Sequence, residues 1–248
     1  MPAQALQSAV VLAFDTSNES LSVGLQAGGR RWVQQGPGGA AASAGLLPAV
    51  HGLMQQAGCA MAAVQAIAFG RGPGAFTGLR TSCAVAQGLA FGLGVPVLPI
   101  DSLLLVAEQA RQWAGAGDGF DIGVAMDARM GEAYAARYRW QADTWHTTQA
   151  PGLWAPLTLA AEWADAAPAA TCGSAIGLFD ALAPLAASGR FIAVGEDRAG
   201  ALLELAVQAW ADGRGGDAAQ ALPLYLRDKV AQTTAERAAA KAAAGLAA

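Results

Sequence analysis

Two short segments carry the residue types that handle phosphate, and each begins where an apolar run stops. Asp15-Thr16-Ser17 ends the run Val10–Phe14. An acid followed by hydroxyls in a tight turn can hold a phosphate or a magnesium-bound water. The same Asp can instead do no more than satisfy backbone N–H groups of its own turn. The second segment, Gly70–Arg80 (GRGPGAFTGLR), lies between a predicted strand and a predicted helix. A glycine-rich loop feeding a helix N-terminus presents free N–H groups and the positive end of a dipole, the elements of an anion cradle. The same spacing fits a tight strand-to-helix turn that seats Phe76 in a core. Asp15, Thr16, Ser17, Gly72, Gly74 and Thr77 are therefore the candidate phosphate-loop residues. The loop is not a P-loop, because Gly-Lys-Ser/Thr is missing and no lysine precedes Lys229. Nor is it a dinucleotide fingerprint, since its third glycine falls out of register. Asp127-Ala128-Arg129-Met130-Gly131-Glu132 joins two predicted strands and reads as a hairpin held by an Asp–Arg hydrogen bond.

Other chemistries find little material. His51 and His146 have no carboxylate or cysteine at ligand spacing, which leaves no zinc site or histidine triad, and no GxSxG is present. No catalytic residue and no metal ligand is expected. Cys59, Cys83 and Cys172 lie far apart without a CxxC, which suits a reducing cytosol better than a disulfide framework. A net charge of -4 argues against a surface that grips nucleic acid by itself. With 54% hydrophobic and 14% charged residues the chain is not disordered. The segment before Val10 lacks a positive n-region and a long apolar core, so no signal peptide is expected. No apolar run reaches the ~20 residues of a spanning helix. The expected location is cytoplasmic, without a membrane.

The elements that must position these segments follow from periodicity. Val10–Phe14, Leu21–Leu25 and Arg30–Gln35 read as a three-stranded meander. Ser43 can cap a helix to about Ala57, with Leu46, Leu47, Val50, Leu53 and Met54 at helical spacing. Val64–Phe69 is a strand, Thr77 to about Leu93 a helix, Val95–Ile100 a strand, and Asp101-Ser102 caps a helix to about Trp113. Strand–helix–strand–helix after a meander implies a mixed sheet with helices packed on it. Glycine-rich 114–120 reads as a linker. Beyond it come strands at Ile122–Met126, Glu132–Trp140 and Trp145–Thr148, a helix around Leu157–Asp165, and two further α/β elements ending near Val194. A helix from about Arg198 to Trp210 and the segment Pro223–Arg227 follow. The expected division is a first lobe over 1–113 with a returning helix near 198–212, a second lobe over 121–230, and an alanine-rich tail over 235–248 with nothing to anchor it. The helix after the glycine loop carries Gly78, Ser82, Ala86 and Ala90 at four-residue steps, a stripe that lets another backbone come close.

Leu12–Ser17 with Ser22-Val23, Gly70–Arg80, Ala86–Ala90, Asp127–Glu132 with Tyr134, and Tyr225-Leu226-Arg227 occur in an order and spacing that resemble the TsaB family of bacterial threonylcarbamoyladenosine biosynthesis proteins, over about residues 10–230. The resemblance implies an α/β fold of two actin-like (ASKHA, RNase H-like) lobes, mixed sheets flanked by helices. It implies a role in modifying the adenosine next to the anticodon of tRNAs that read codons starting with A. By resemblance the chain is a non-catalytic partner of its paralogue TsaD, which holds metal and nucleotide and transfers threonylcarbamoyl from threonylcarbamoyl-AMP to the tRNA. TsaE, an ATPase, binds that heterodimer. ATP and metal then belong to TsaD and TsaE, no cofactor is expected on this chain, and tRNA is met only through the complex. The partner surface implied is the pair of first-lobe helices, with Leu46, Val50, Leu53, Gly78, Ser82 and Ala86 against TsaD, or against a second copy in a homodimer when TsaD is absent. A bulky Ser82→Trp is expected to abolish that pairing and leave the monomer folded. The chain lacks TsaD's HxxxH pair, and Ala40–Leu47 holds alanines, a serine and a glycine where many relatives carry histidine and other polar residues. The competing reading is an ASKHA-type ATPase or small-molecule kinase using Asp15, Thr16 and the Gly70–Thr77 loop. A metalloprotease is opposed by the histidine count.

Overall fold

The computed structural model describes residues 9–195 and 197–227, so the tail expected over 235–248 lies outside the described residues. Strands β1 (Val11–Asp15), β2 (Ser20–Ala27) and β3 (Arg30–Pro37) form the antiparallel meander. Strands β4 (Ala66–Gly72) and β5 (Val97–Asp101) then add in parallel, giving the order β3-β2-β1-β4-β5. The second sheet repeats the plan. Its meander is β6 (Asp121–Asp127), β7 (Ala133–Gln141) and β8 (Thr144–Trp154), and its parallel additions are β9 (Ala170–Cys172) and β10 (Phe191–Ile192). The resulting order, β10-β9-β6-β7-β8, is that of the first sheet. Two mixed five-stranded sheets flanked by helices make two α/β lobes.

Strand β1 is apolar from Val11 to Phe14 because it is covered on both faces. Leu12 and Phe14 point to one side, where helices α1 (Ala42–Ala57) and α2 (Phe76–Leu93) lie. Val11 and Ala13 point to the other, where helix α6 (Ala199–Ala211) returns from the far end of the chain. Gly24 of β2 lets it come near: a Cβ there would stand 3.1 Å from that of Leu203. Helix α3 (Ser102–Ala114) is apolar on two sides. Leu105 joins the α6 cluster, while Leu103, Val106, Ala107 and Ala110 pack on Ile122, Val124, Tyr138 and Cys172 of the second lobe. Helices α3 and α6 thus form the layer between the sheets. The outer face of the second lobe carries α4 (Pro156–Asp165) and the short α5 (Ser174–Leu178). Trp163 of α4 is fully buried over Gly123, where a Cβ would stand 2.9 Å from its ring.

Polar bonds stitch the central layer to both lobes. Asp101 caps α3 as its position predicts, accepting from the Leu103 N–H at 2.9 Å, and also accepts from the Tyr138 hydroxyl at 3.0 Å. The buried Glu108 carboxylate accepts from Arg111 Nε and Nη2, from Gln112, and from Trp145 Nε1 of the second lobe, so its charge is neutralised where water is scarce.

Two expectations are corrected in detail. Ser43 does not cap α1: a 3-10 turn over Gly39–Ala41 runs straight into the helix, leaving no extended residue from which a hydroxyl could reach back. The strand expected over 145–148 continues to Trp154, because β8 is an edge strand, where Pro151 costs no ladder bond, and register shifts opposite Arg137 absorb the irregularity. No helix among the described residues is long and apolar enough to cross a membrane. Because α6 closes the inner face of the first sheet, Leu202→Ala is expected to cost about 2–5 kcal/mol, read as a lower urea midpoint of the whole chain.

Candidate functional site

Both predicted phosphate segments meet at the C-terminal end of the first sheet, and they meet each other. Asp15 turns its carboxylate onto its own turn: Oδ1 accepts from the Ser17 N–H at 2.9 Å and Oδ2 from the Ser17 hydroxyl at 2.8 Å. Thr16 points the opposite way, into α2. Its hydroxyl donates to the Gly78 carbonyl at 2.7 Å and lies 2.7 Å from the Ser82 hydroxyl, which also accepts from the Thr16 N–H. The Ser17 carbonyl accepts from the Ala75 N–H at 2.8 Å. The loop after β4 is therefore filled by the chain's own turn.

The glycines of that loop are explained by this contact. A Cβ on Gly70 would overlap the Asp15 carboxylate, one on Gly74 the Ser17 carbonyl, and one on Gly78 the Thr16 carbonyl. Gly72 adopts φ +108, with Leu79 at 2.9 Å and the Leu224 carbonyl at 3.0 Å from where its Cβ would be. Of the six candidate phosphate-loop residues, the structure brings Asp15, Thr16, Ser17 and Gly74 together, while Gly72 packs alongside. Thr77 stays exposed on the first turn of α2, away from Asp15.

The electrostatics match a sealed site. Burial pushes the Asp15 carboxyl above its ordinary value, opposed by the charge of Arg198 and the bonds from Ser17. Burial likewise pushes the Cys172 thiol up to about 12. These residues do not fit a magnesium nucleotide: both Asp15 oxygens accept from Ser17, Gly70 covers the carboxylate, and the loop packs on the Ser17 backbone through the Ala75 N–H. Among the described residues, no group of three or more His, Cys, Asp or Glu could hold a metal ion.

In front of this turn the lobes leave a cleft of about 720 Å3. Its first-lobe wall includes Asn18, Glu19 and Phe76, and its second-lobe wall Asp127–Met130, Tyr134 and Ser174. Arg198 lies among its lining, and the segment Leu224–Arg227 runs along it. The sequence alone gave no role to Arg198 or to Tyr225-Leu226-Arg227. The usable signal was an aromatic and a cation held in an ordered segment after the last helix.

The expected partner face is corrected. Leu46, Val50 and Leu53 are wholly buried in the first lobe's own core, and Gly78, Ser82 and Ala86 face the same interior. Helical spacing finds the apolar side of a helix, and that side is claimed by the sheet beneath it. Ser82→Trp would therefore disrupt the monomer as well. The outward sides hold Leu47 and His51 on α1, and Ala84, Gln87, Gly88, Phe91 and Gly92 on α2. Phe91 is 83% exposed, and Cβ atoms on Gly88 or Gly92 would meet nothing within 4 Å.

Fold and site together define a two-lobed α/β protein with a repeated mixed sheet, in which the glycine loop after β4 packs on the β1 turn. A family model described as TsaD, tRNA N6-adenosine threonylcarbamoyltransferase, matches residues 40–155. The tRNA threonylcarbamoyladenosine biosynthesis protein TsaB of Escherichia coli is 31% identical over 89% of this chain and 96% of its own length. TsaB of Haemophilus influenzae is 38% identical over 52% of this chain and 53% of its own length. A solved Pseudomonas aeruginosa structure, titled an uncharacterized protein with similarity to peptidase YeaZ, superposes with a TM-score of 0.77 at 39% identity, covering 88% of this chain and 100% of that one. The chain belongs to the TsaB family.

Two outcomes test the closed site. Gly78→Ala is expected to destabilise the fold by more than about 4 kcal/mol, since two backbones would have to part, whereas Gly88→Ala should stabilise it by about 0.5–1 kcal/mol; urea unfolding separates them. For Asp15, a raised folded-state pKa means stability is greatest below the unfolded value and is lost as pH rises through the folded one. Asp15→Asn can keep both contacts with Ser17, so it should remove that part of the decline. Unfolding midpoints of the two proteins should draw apart in the variant's favour from pH 4 to pH 7.

Proposed function

We propose that this chain works in tRNA threonylcarbamoyladenosine biosynthesis as the non-catalytic partner of TsaD, held to it through the outward faces of α1 and α2. Membership of the TsaB family supplies the pathway. The observation that carries the non-catalytic reading is the Asp15 carboxylate, which is bonded through both oxygens to Ser17 and covered by Gly70. A kinase or ATPase of this fold needs that end of β1 open to a metal and a phosphate, and here the chain's own backbone occupies it.

The partner reading is supported by what α1 and α2 leave uncovered. They lie on the same face of the first sheet, and Phe91 and Leu47 project from them beside Ala84, Gly88 and Gly92. Small residues flanking an exposed aromatic let a second pair of helices approach closely and give that ring a site to fill. TsaD, as the paralogue, is the partner this reading assigns, with TsaE joining the heterodimer. Nucleotide and metal are assigned to those two proteins.

Reconstitution tests it. TsaD and TsaE with this chain should transfer threonylcarbamoyl to tRNA, the mixture without it should not, and the chain alone should not hydrolyse ATP. Phe91→Asp should abolish co-elution with TsaD while leaving the unfolding free energy of the isolated chain within about 0.5 kcal/mol. Asp15→Asn should leave transfer unchanged. Magnesium-dependent ATP hydrolysis by the isolated chain, lost in Asp15→Asn, would instead establish the kinase-like reading.

A further inference from the structure

We propose that the segment Leu224–Arg227 is a latch holding the two lobes at a fixed aperture, and that releasing it opens the cleft between them. This property belongs to the isolated chain and does not depend on the assignment of a partner. Three segments far apart in sequence meet here. On the first lobe, the Leu224 N–H donates to the Arg71 carbonyl at 2.7 Å. The Tyr225 ring lies 5.4 Å from that of Phe76, and its hydroxyl accepts from Arg80 Nε at 3.0 Å. Arg80 itself covers the Phe76 ring at 3.9 Å.

Two residues further on, the chain grips the second lobe. Arg227 Nη1 lies 2.7 Å from the Glu132 carboxylate, and Nη2 donates to the carbonyls of Ala128 at 3.1 Å and Arg129 at 3.2 Å. Those carbonyls belong to a turn in which Arg129, Met130 and Gly131 all have positive φ, at 62, 57 and 77. L-residues adopt that region at a cost, and such a turn persists when its surroundings hold it. The guanidinium fork does so from one side, and the Asp127 carboxylate, accepting from the Arg129 N–H at 2.8 Å, from the other.

The anchor is shielded, with the Arg227 side chain 13% exposed. A second ion pair across the cleft mouth, Arg129–Glu19, spans 3.5 Å between side chains 76% and 69% exposed, where solvent screens it. At the back of the cleft the lobes are joined through α3 and α6. The mouth therefore depends on a short extended segment pinned at Tyr225 and Arg227, and removing one pin frees the lobes to part.

Native cysteines report the result. Cys172 is fully buried against α3 and precedes Gly173, which lines the cleft, whereas Cys83 sits on the inner side of α2 in the first-lobe core. Burial pushes both thiols up to about 12, so each is mostly protonated at pH 8 and a poor nucleophile while the fold stays closed. In Arg227→Ala, labelling of Cys172 by a thiol reagent at pH 8, mapped by mass spectrometry, should rise at least about tenfold while Cys83 stays unchanged. Arg227→Lys should fall between, because an ammonium meets Glu132 but cannot fork across two carbonyls. Glu132→Gln, which keeps Arg227 in place, should show a smaller rise confined to Cys172. Unchanged Cys172 labelling in both Arg227→Ala and Glu132→Gln overturns the latch. Equal acceleration of Cys83 and Cys172 also overturns it, by making Arg227 a contributor to global stability alone.

Discussion

The architecture depends on a contact that leaves no room for a side chain. Gly70, Gly74 and Gly78 lie against Asp15, Ser17 and Thr16, and at each a single methyl would overlap carboxylate or carbonyl oxygen. Backbone approach this close fixes where β4 ends and where α2 begins, and it places Ser82 to bond Thr16. Loop and turn pack directly on each other, with the Ala75 N–H bonded to the Ser17 carbonyl, so the loop's glycines serve this close approach.

Sealing that site leaves the chain's reactive potential elsewhere. The cleft retains walls from both lobes, yet its floor is a closed turn, and the carboxyls of Asp15, Asp101 and Glu108 are all bonded within the fold. What remains accessible is surface: the outward sides of α1 and α2 and the mouth of the cleft.

Much of the fold was legible because its signals are local. The alternation of Leu21, Val23 and Leu25, the apolar runs of β1 and β4, and the Asp101 cap each announce an element within a few residues. The returning helix was visible as an apolar periodic segment after the second lobe. The site was legible in its parts and misread in its direction. Leu46, Val50 and Leu53 were correctly grouped as one face, but periodicity does not say whether a sheet or a partner covers that face. Gly78, Ser82 and Ala86 form a true small-residue stripe, and what comes close to it is the β1 turn of the same molecule. The outward stripe of Ala84, Gly88 and Gly92 has the same spacing and was overlooked beside it. The link between Arg227 and the Asp127–Glu132 turn was out of reach, because nothing local couples residues about a hundred positions apart.

The position of α6 also sets an order of events during synthesis. Val11, Ala13, Ala66, Ala68, Leu98 and Ile100 wait for Leu202, Leu203 and Leu205 to cover them. Until the last helix has been translated, the inner side of the nascent first sheet is covered only in part, by Leu105 of α3. The amino-terminal lobe therefore emerges first but completes its core only with the last helix.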